Sequence, residues 1–158
     1  MPYTPHLLYK ARIMLRLAAR RLSSFAEAKT LTVEGAQKAM AAAAAEAQKN
    51  NWKVTVAVSD AGGHPLMVQR YGAAPFSVEV AMGKARTAAL FQRETAGLEA
   101  ASNVADGKAR TALLSTDFIL MEGGVPIMTD GVCVGAVGVS GVLPTQDAQV
   151  AKAGVGAI

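Results

Sequence analysis

The chain has one cysteine, Cys133, and two histidines, His6 and His64, among 158 residues. A lone cysteine excludes an internal disulfide and suits a reducing compartment, so the expected location is the cytoplasm. Cys133 falls inside a β-like run, where a buried small hydrophobe is the ordinary reading. No grouping of histidine and cysteine has metal-ligand spacing, which argues against a structural zinc site. Apolar residues make up 51% of the chain, yet no uninterrupted apolar run approaches the roughly 18 residues of a membrane span. The pairs Gly62-Gly63 and Gly123-Gly124 have neither Walker nor dinucleotide spacing. Ser59, Asp60 and His64 supply the residue types of a hydrolytic triad, but they crowd into one turn without a nucleophile elbow.

The charge is short of balance only at one end. Residues 1–29 hold Lys10, Arg12, Arg16, Arg20, Arg21 and Lys29 against Glu27, whereas the remainder is close to neutral. A nucleic-acid role for the whole chain is therefore weakly supported, and no nucleic-acid partner is expected. Residues 1–30 read as a basic amphipathic extension and residues 31–158 as one domain. Within the extension, Leu7, Leu8, Ala11, Met14, Leu15, Ala18, Ala19 and Leu22 recur at helical spacing, with Arg12, Arg16 and Arg20 stacked four apart. That pattern predicts a helix over Pro5 to Ala26. A helix packed on the domain or on a neighbouring subunit, an organelle presequence, a membrane-surface helix and a start codon placed too far upstream all fit it. Export is a further alternative, although no secretory apolar core is present.

The organising feature of the domain is Glu122 to Gly141. Two β-branched runs, Val125 to Thr129 and Val132 to Val139, flank Asp130-Gly131, which predicts a tight hairpin. Strict alternation puts Cys133, Gly135, Val137 and Val139 on one face and Val132, Val134, Ala136, Gly138 and Ser140 on the other. Neither face is charged, so the sheet is expected to be covered on both sides. Gly135, Gly138 and Gly141 weaken a strand unless a helix or a ligand approaches its backbone closely.

Upstream, Thr32 caps a predicted helix to Lys49, with Glu34 in its first turn and an alanine run, Ala41 to Ala45, at its centre. So smooth a helix is the expected partner of the glycine-rich strands. Trp52 to Ser59 alternates as a strand, Asp60 to His64 is a turn, and Pro65 to Tyr71 returns. Ser77 is expected to cap a helix to about Phe91 that buries Val78, Met82, Ala85, Ala89 and Leu90 and leaves Lys84 and Arg86 solvated. A short helix follows from Thr95 to Asn103, then an irregular stretch to Leu120. Pro144 to Asp147 opens a last helix, with Asp147 near its positive end. The order predicts an α+β fold, a three-layer α/β/α sandwich around one antiparallel sheet of about five strands.

Four blocks carry a resemblance. They are Leu31-Thr32-Val33-Glu34-Gly35-Ala36-Gln37; Val58-Ser59-Asp60-Ala61-Gly62-Gly63-His64; Ser77-Val78-Glu79 with Gly83-Lys84-Ala85-Arg86-Thr87-Ala88; and Glu122-Gly123-Gly124-Val125-Pro126-Ile127 followed by Gly135 to Gly141. In this order and spacing they resemble the GlcG/HbpS family of haem-binding proteins, which also includes the C-terminal domain of PduO-type proteins. The resemblance covers residues 31–158. It implies a profilin-like sandwich, homo-oligomers, a haem ligand with a corrinoid as second choice, haem degradation in some members, and genes set beside small-molecule catabolism. The candidate cofactor contacts are His64, Arg70, Lys84, Arg86 and Glu122, with His64 as the metal ligand; a neutral imidazole at a hairpin tip can ligate iron in a tetrapyrrole. Where the family reads Arg-Met-Asp-Gly-Ala, this chain has Arg70-Tyr71-Gly72-Ala73, and Glu79 is followed by Met82 in place of a second acid. Iron sensing is therefore not carried over. Two rival functions stand beside haem binding. One is a non-catalytic accessory or assembly protein for a catabolic enzyme, docking through the alanine-rich helix. The other is an enzyme on a small organic substrate, using Asp60, His64, Arg70, Lys84, Arg86 and Glu122, with its catalytic residues unknown.

Overall fold

The computed structural model describes residues 27–103, 113 and 115–158. The helix predicted over Pro5 to Ala26, His6, and most of the irregular stretch after Asn103 lie outside the described residues. The elements are α1 (Val33–Lys49), β1 (Val54–Asp60), β2 (Pro65–Tyr71), α2 (Ser77–Phe91), α3 (Thr95–Ser102), β3 (Gly124–Thr129), β4 (Val132–Ser140) and α4 (Pro144–Val155). Among the described residues four strands form one antiparallel sheet in the order β2-β1-β4-β3, close to the expected count of about five. Helices α1 and α4 cover one face and α2 covers the other, so the α/β/α sandwich is as the pattern predicts.

Local chemistry explains the boundaries. Thr32 Oγ1 accepts from the Gly35 N–H at 3.1 Å, capping α1. Asp130 and Gly131 both have positive φ, +49° and +77°, as a two-residue type I′ turn demands. At the start of α4 the Gln146 side chain accepts from the Leu143 N–H at 3.2 Å. Ser77, in contrast, is not a cap but the first residue of α2. Its hydroxyl is buried, donates to the Ala74 carbonyl at 2.6 Å and lies 2.6 Å from the Thr55 hydroxyl. The outer side of α2 also departs from expectation, because Leu90 is exposed while Ala81, Lys84, Thr87 and Ala88 are buried.

The principal core lies on the α1/α4 face, where Ala36, Ala39, Met40, Ala43 and Ala47 meet Val54, Val56, Val58, Val137, Val139 and Val150. Full burial of one such valine contributes roughly 1.5–3 kcal/mol. Val134 belongs to this core with Val137 and Val139, whereas Ala136 packs with Ala88 and Ala89 on the α2 face. Strict alternation fails there because the pairing slips: Ile127 faces Gly135, but Met128 faces Cys133. The extra residue is a bulge, and it turns Cys133 to the α2 side, where Sγ lies 3.6 Å from the Ala89 carbonyl.

The glycine-rich strand is approached by protein, and its helical partner is α2 rather than the alanine-rich α1. A Cβ on Gly138 would sit 2.2 Å from the Ala81 carbonyl oxygen and 2.4 Å from the Ala85 nitrogen. No helix among the described residues is long and apolar enough to cross a membrane.

Candidate functional site

The β1–β2 turn is built around Asp60. Its Oδ1 accepts from the His64 N–H at 2.9 Å, its own N–H donates to the His64 carbonyl at 2.9 Å, and Gly63 completes the turn with φ of +78°. The same Oδ1 lies 3.5 Å from His64 Nδ1, too long for a good hydrogen bond. The His64 side chain is 81% exposed, and a Cβ on Gly62 would come within 2.9 Å of its Nδ1. The glycine thus gives the ring room to lie flat against the turn.

Arg86 belongs to the same corner. A Cβ on Gly63 would meet Arg86 Cγ at 2.7 Å, so α2 and the turn touch where glycine leaves space. The Arg86 guanidinium carbon stands 5.2 Å from the Phe118 ring centre, a cation–π contact. Phe118 in turn meets Phe91 edge to face, with ring centres 5.0 Å apart. Beneath this corner the Ser59 hydroxyl is buried with no partner among the described residues. It borders a void of about 10 Å³ shared with Ala57, Gly63, Pro65, Met82 and Ala85, room for about one water.

From this corner an apolar strip runs along β2. The register pairs Ala57 with Val68 and Thr55 with Arg70, so Val68 and Arg70 share the α2 face, while Leu66 falls where the pairing slips between Met67 with Val58 and Pro65 with Ser59. One helix does not reach over the edge strand, and Leu66 and Val68 remain 36% and 37% exposed. Arg70 is exposed at the far end of the strip, roughly 20 Å along the strand from His64, with its guanidinium 3.4 Å from the Ala73 carbonyl.

Lys84 and Glu122 lie elsewhere. Lys84, expected as a solvated cation, has 0% exposure, and its ammonium donates to Asp147 Oδ2 at 2.8 Å. The reason is geometric: α2 lies against β4 and β3, and the lysine passes the end of the sheet to reach the first turn of α4. Gly123, φ +122°, makes the passage, since a Cβ there would be 2.9 Å from Lys84 Nζ and 2.8 Å from Asp147 Cβ. Burial pushes the Asp147 carboxyl above the usual aspartate range, against the opposing pull of Lys84 and of the Val142 amide, which donates to Oδ1 at 3.2 Å. Glu122, half-buried, adjoins this passage, and its N–H donates to the Glu99 carboxylate. The five candidates thus divide into His64 and Arg86, with Arg70 along the strip, and a separate pair, Lys84 and Glu122.

Sequence reasoning missed the role of Asp147 and of the threonines that hold this second region. Thr95 Oγ1 accepts from the Gly124 N–H at 2.9 Å, and Thr87 Oγ1 accepts from the Ile119 N–H at 3.1 Å. The available signal was the setting of Lys84. Its helical neighbours three and four positions away are Val80, Ala81, Thr87 and Ala88, a surface with no reason to face water.

Residues 31–156 match the family model described as haem degrading protein HbpS-like. Protein GlcG of Escherichia coli is 46% identical over 112 residues, covering 70% of this chain and 81% of GlcG. Among solved structures, a double mutant of Streptomyces reticuli HbpS is 33% identical with a TM-score of 0.75, covering 85% of this chain and 90% of that one. A PduOC:heme complex is 26% identical with a TM-score of 0.74, covering 82% and 96%.

Proposed function

The chain belongs to the HbpS-like family, and on that premise we propose that it binds haem at the β1–β2 corner, with His64 as the axial ligand of the iron. The observation that carries the reading is the turn itself: an exposed imidazole, Nδ1 turned to Asp60, beside two glycines and an apolar strip. The exposed imidazole is the proposed donor to the iron. Leu66 and Val68 offer the porphyrin an apolar bed, and Arg86 offers a propionate its nearest cation, with Arg70 as a second at the far end. Bound haem would supply iron redox chemistry, which suits haem degradation. The chain's own part is to hold the ring, orient the imidazole through Asp60 and keep one side of the ligand dry. A corrinoid is the second choice for the same bed.

Lys84 and Glu122 are given no ligand contact, because the lysine is sealed in its pair with Asp147. Homo-oligomers and a setting in small-molecule catabolism complete the proposal. For the accessory-protein reading, Ala36, Ala39, Ala43 and Ala47 of α1 lie in the chain's own core, and the exposed side of the helix presents Ala41 and Ala45.

The test is a haem titration followed in the Soret region. The expected result is a shifted band, an affinity lowered about tenfold or more by His64→Ala, equivalent to about 1.4 kcal/mol, and no change with His6→Ala. A spectrum indistinguishable from free haem overturns the proposal, and equal affinities in the two variants remove His64 from it.

A further inference from the structure

The α1/α4 side carries a groove of about 430 Å³ that the haem proposal does not use. Its apolar lining includes Leu31, Ile127, Met128, Val134, Val155 and Ile158. Four large apolar side chains at this end, Val33, Met128, Val132 and Ile158, are about half exposed. The amino end of α1 opens toward the groove, but it does not call for an anion. Thr32 already caps it, and the Glu34 carboxylate sits in the first turn, its pKa lowered by hydrogen bonds from its own backbone amide and from Thr32. Two acidic residues adjoin the lining in sequence, Glu34 beside Gly35 and Asp130 beside Thr129.

The occupant that fits is cationic and amphipathic, and the chain supplies one. Lys29 and Thr30 line the groove, and the Lys29 ammonium pairs with Asp130 across its mouth. The residues before Lys29 therefore join the described chain at the groove's edge. Their sequence places Leu8, Leu15 and Leu22 seven apart, with Arg12, Arg16 and Arg20 interleaved. We propose that residues 7–22 dock in this groove in the same molecule, their leucines on its apolar lining and their arginines toward Glu34 and Asp130.

Full-length protein carrying ¹³C-methyl methionine provides the test, with Met128 as reporter and Met67 and Met121 as controls. The expected result is that Leu15→Asp combined with Leu22→Asp moves the Met128 resonance toward that of a solvent-exposed methionine and leaves both controls in place. Arg16→Glu combined with Arg20→Glu, which keeps the apolar stripe, should move it less in the same direction. A Met128 resonance unchanged by the aspartate pair overturns the proposal. A spin label at Ala18→Cys, in a Cys133→Ala background, should broaden Met128 within its own chain. Broadening seen only between labelled and unlabelled chains would assign the groove to a neighbouring subunit's segment and overturn docking in the same molecule.

Discussion

The two faces of the sheet solve the same problem with different means. On one, α1 and α4 together span the strands and fill the space with valines and alanines. On the other, a single helix lies so close to β4 that only small side chains fit beneath it. That helix secures its position with polar pegs, Ser77 to Thr55, Thr87 to Ile119 and Lys84 to Asp147. The broad face is stabilised by apolar area, the narrow face by specific partners, and the narrow face also leaves the β2 flank uncovered. Closeness and incompleteness have the same origin, and the uncovered flank is where the proposed ligand sits.

The sharpest way to break this contrast is Lys84→Ala. It leaves the Asp147 carboxylate buried without its counter-charge, and a loss of about 3–5 kcal/mol is expected in thermal or denaturant unfolding. Lys84→Met with Asp147→Leu should recover most of that loss, since the pair is then replaced by apolar volume. Next in size is Gly138→Ala, whose methyl would meet backbone of α2 rather than a movable side chain. It should cost about 1–3 kcal/mol in the same measurement. Smaller in stability but decisive for function, Val68→Asp should alter unfolding by about 0.5 kcal/mol or less while weakening haem binding in the Soret titration. If it unfolds the chain instead, the flank is part of the core and the contrast fails.

The smallest effect belongs to the broad face. Glu46 accepts from Gln149 at 2.6 Å and from Asn50 at 3.0 Å, and these bonds hold its carboxyl below the usual glutamate range. A lowered pKa in the folded state favours folding above the unfolded value, and that contribution fades as pH falls through the folded one. Wild-type and Glu46→Gln melting temperatures should therefore differ slightly near neutrality and converge in acid.

The elements were legible where one short rule governs them. Thr32 announced its helix, Asp130-Gly131 its turn, and the valines of β1 their face. Pairing defects and cross-layer partners were not legible. No period marks the extra residue that turns Cys133 to the α2 side, because a bulge is decided by the neighbouring strand. Nor does local pattern connect Lys84 with Asp147, 63 positions on. The turn at His64 was readable as a turn, whereas the nearness of Arg86 depends on two glycines whose value appears only when α2 is in place. The flank was hidden for the opposite reason: alternation in Pro65 to Tyr71 promises a buried side, and the width of a single helix withholds it.

The pairing of β1 with β4 also sets a clock. Strand β1 is followed directly by β2, but its other neighbour is made only once the chain has reached Ser140, which faces Thr55. At about 5–20 residues per second on a ribosome, the interval is roughly 4 to 17 seconds. During that time the valines of β1 have no second strand and Lys84 has no carboxylate to receive it. Nascent chains of this protein should therefore be clients of holding chaperones until the final helix emerges. Messages broken before the codon for Asp147 should yield products that are degraded rather than accumulated.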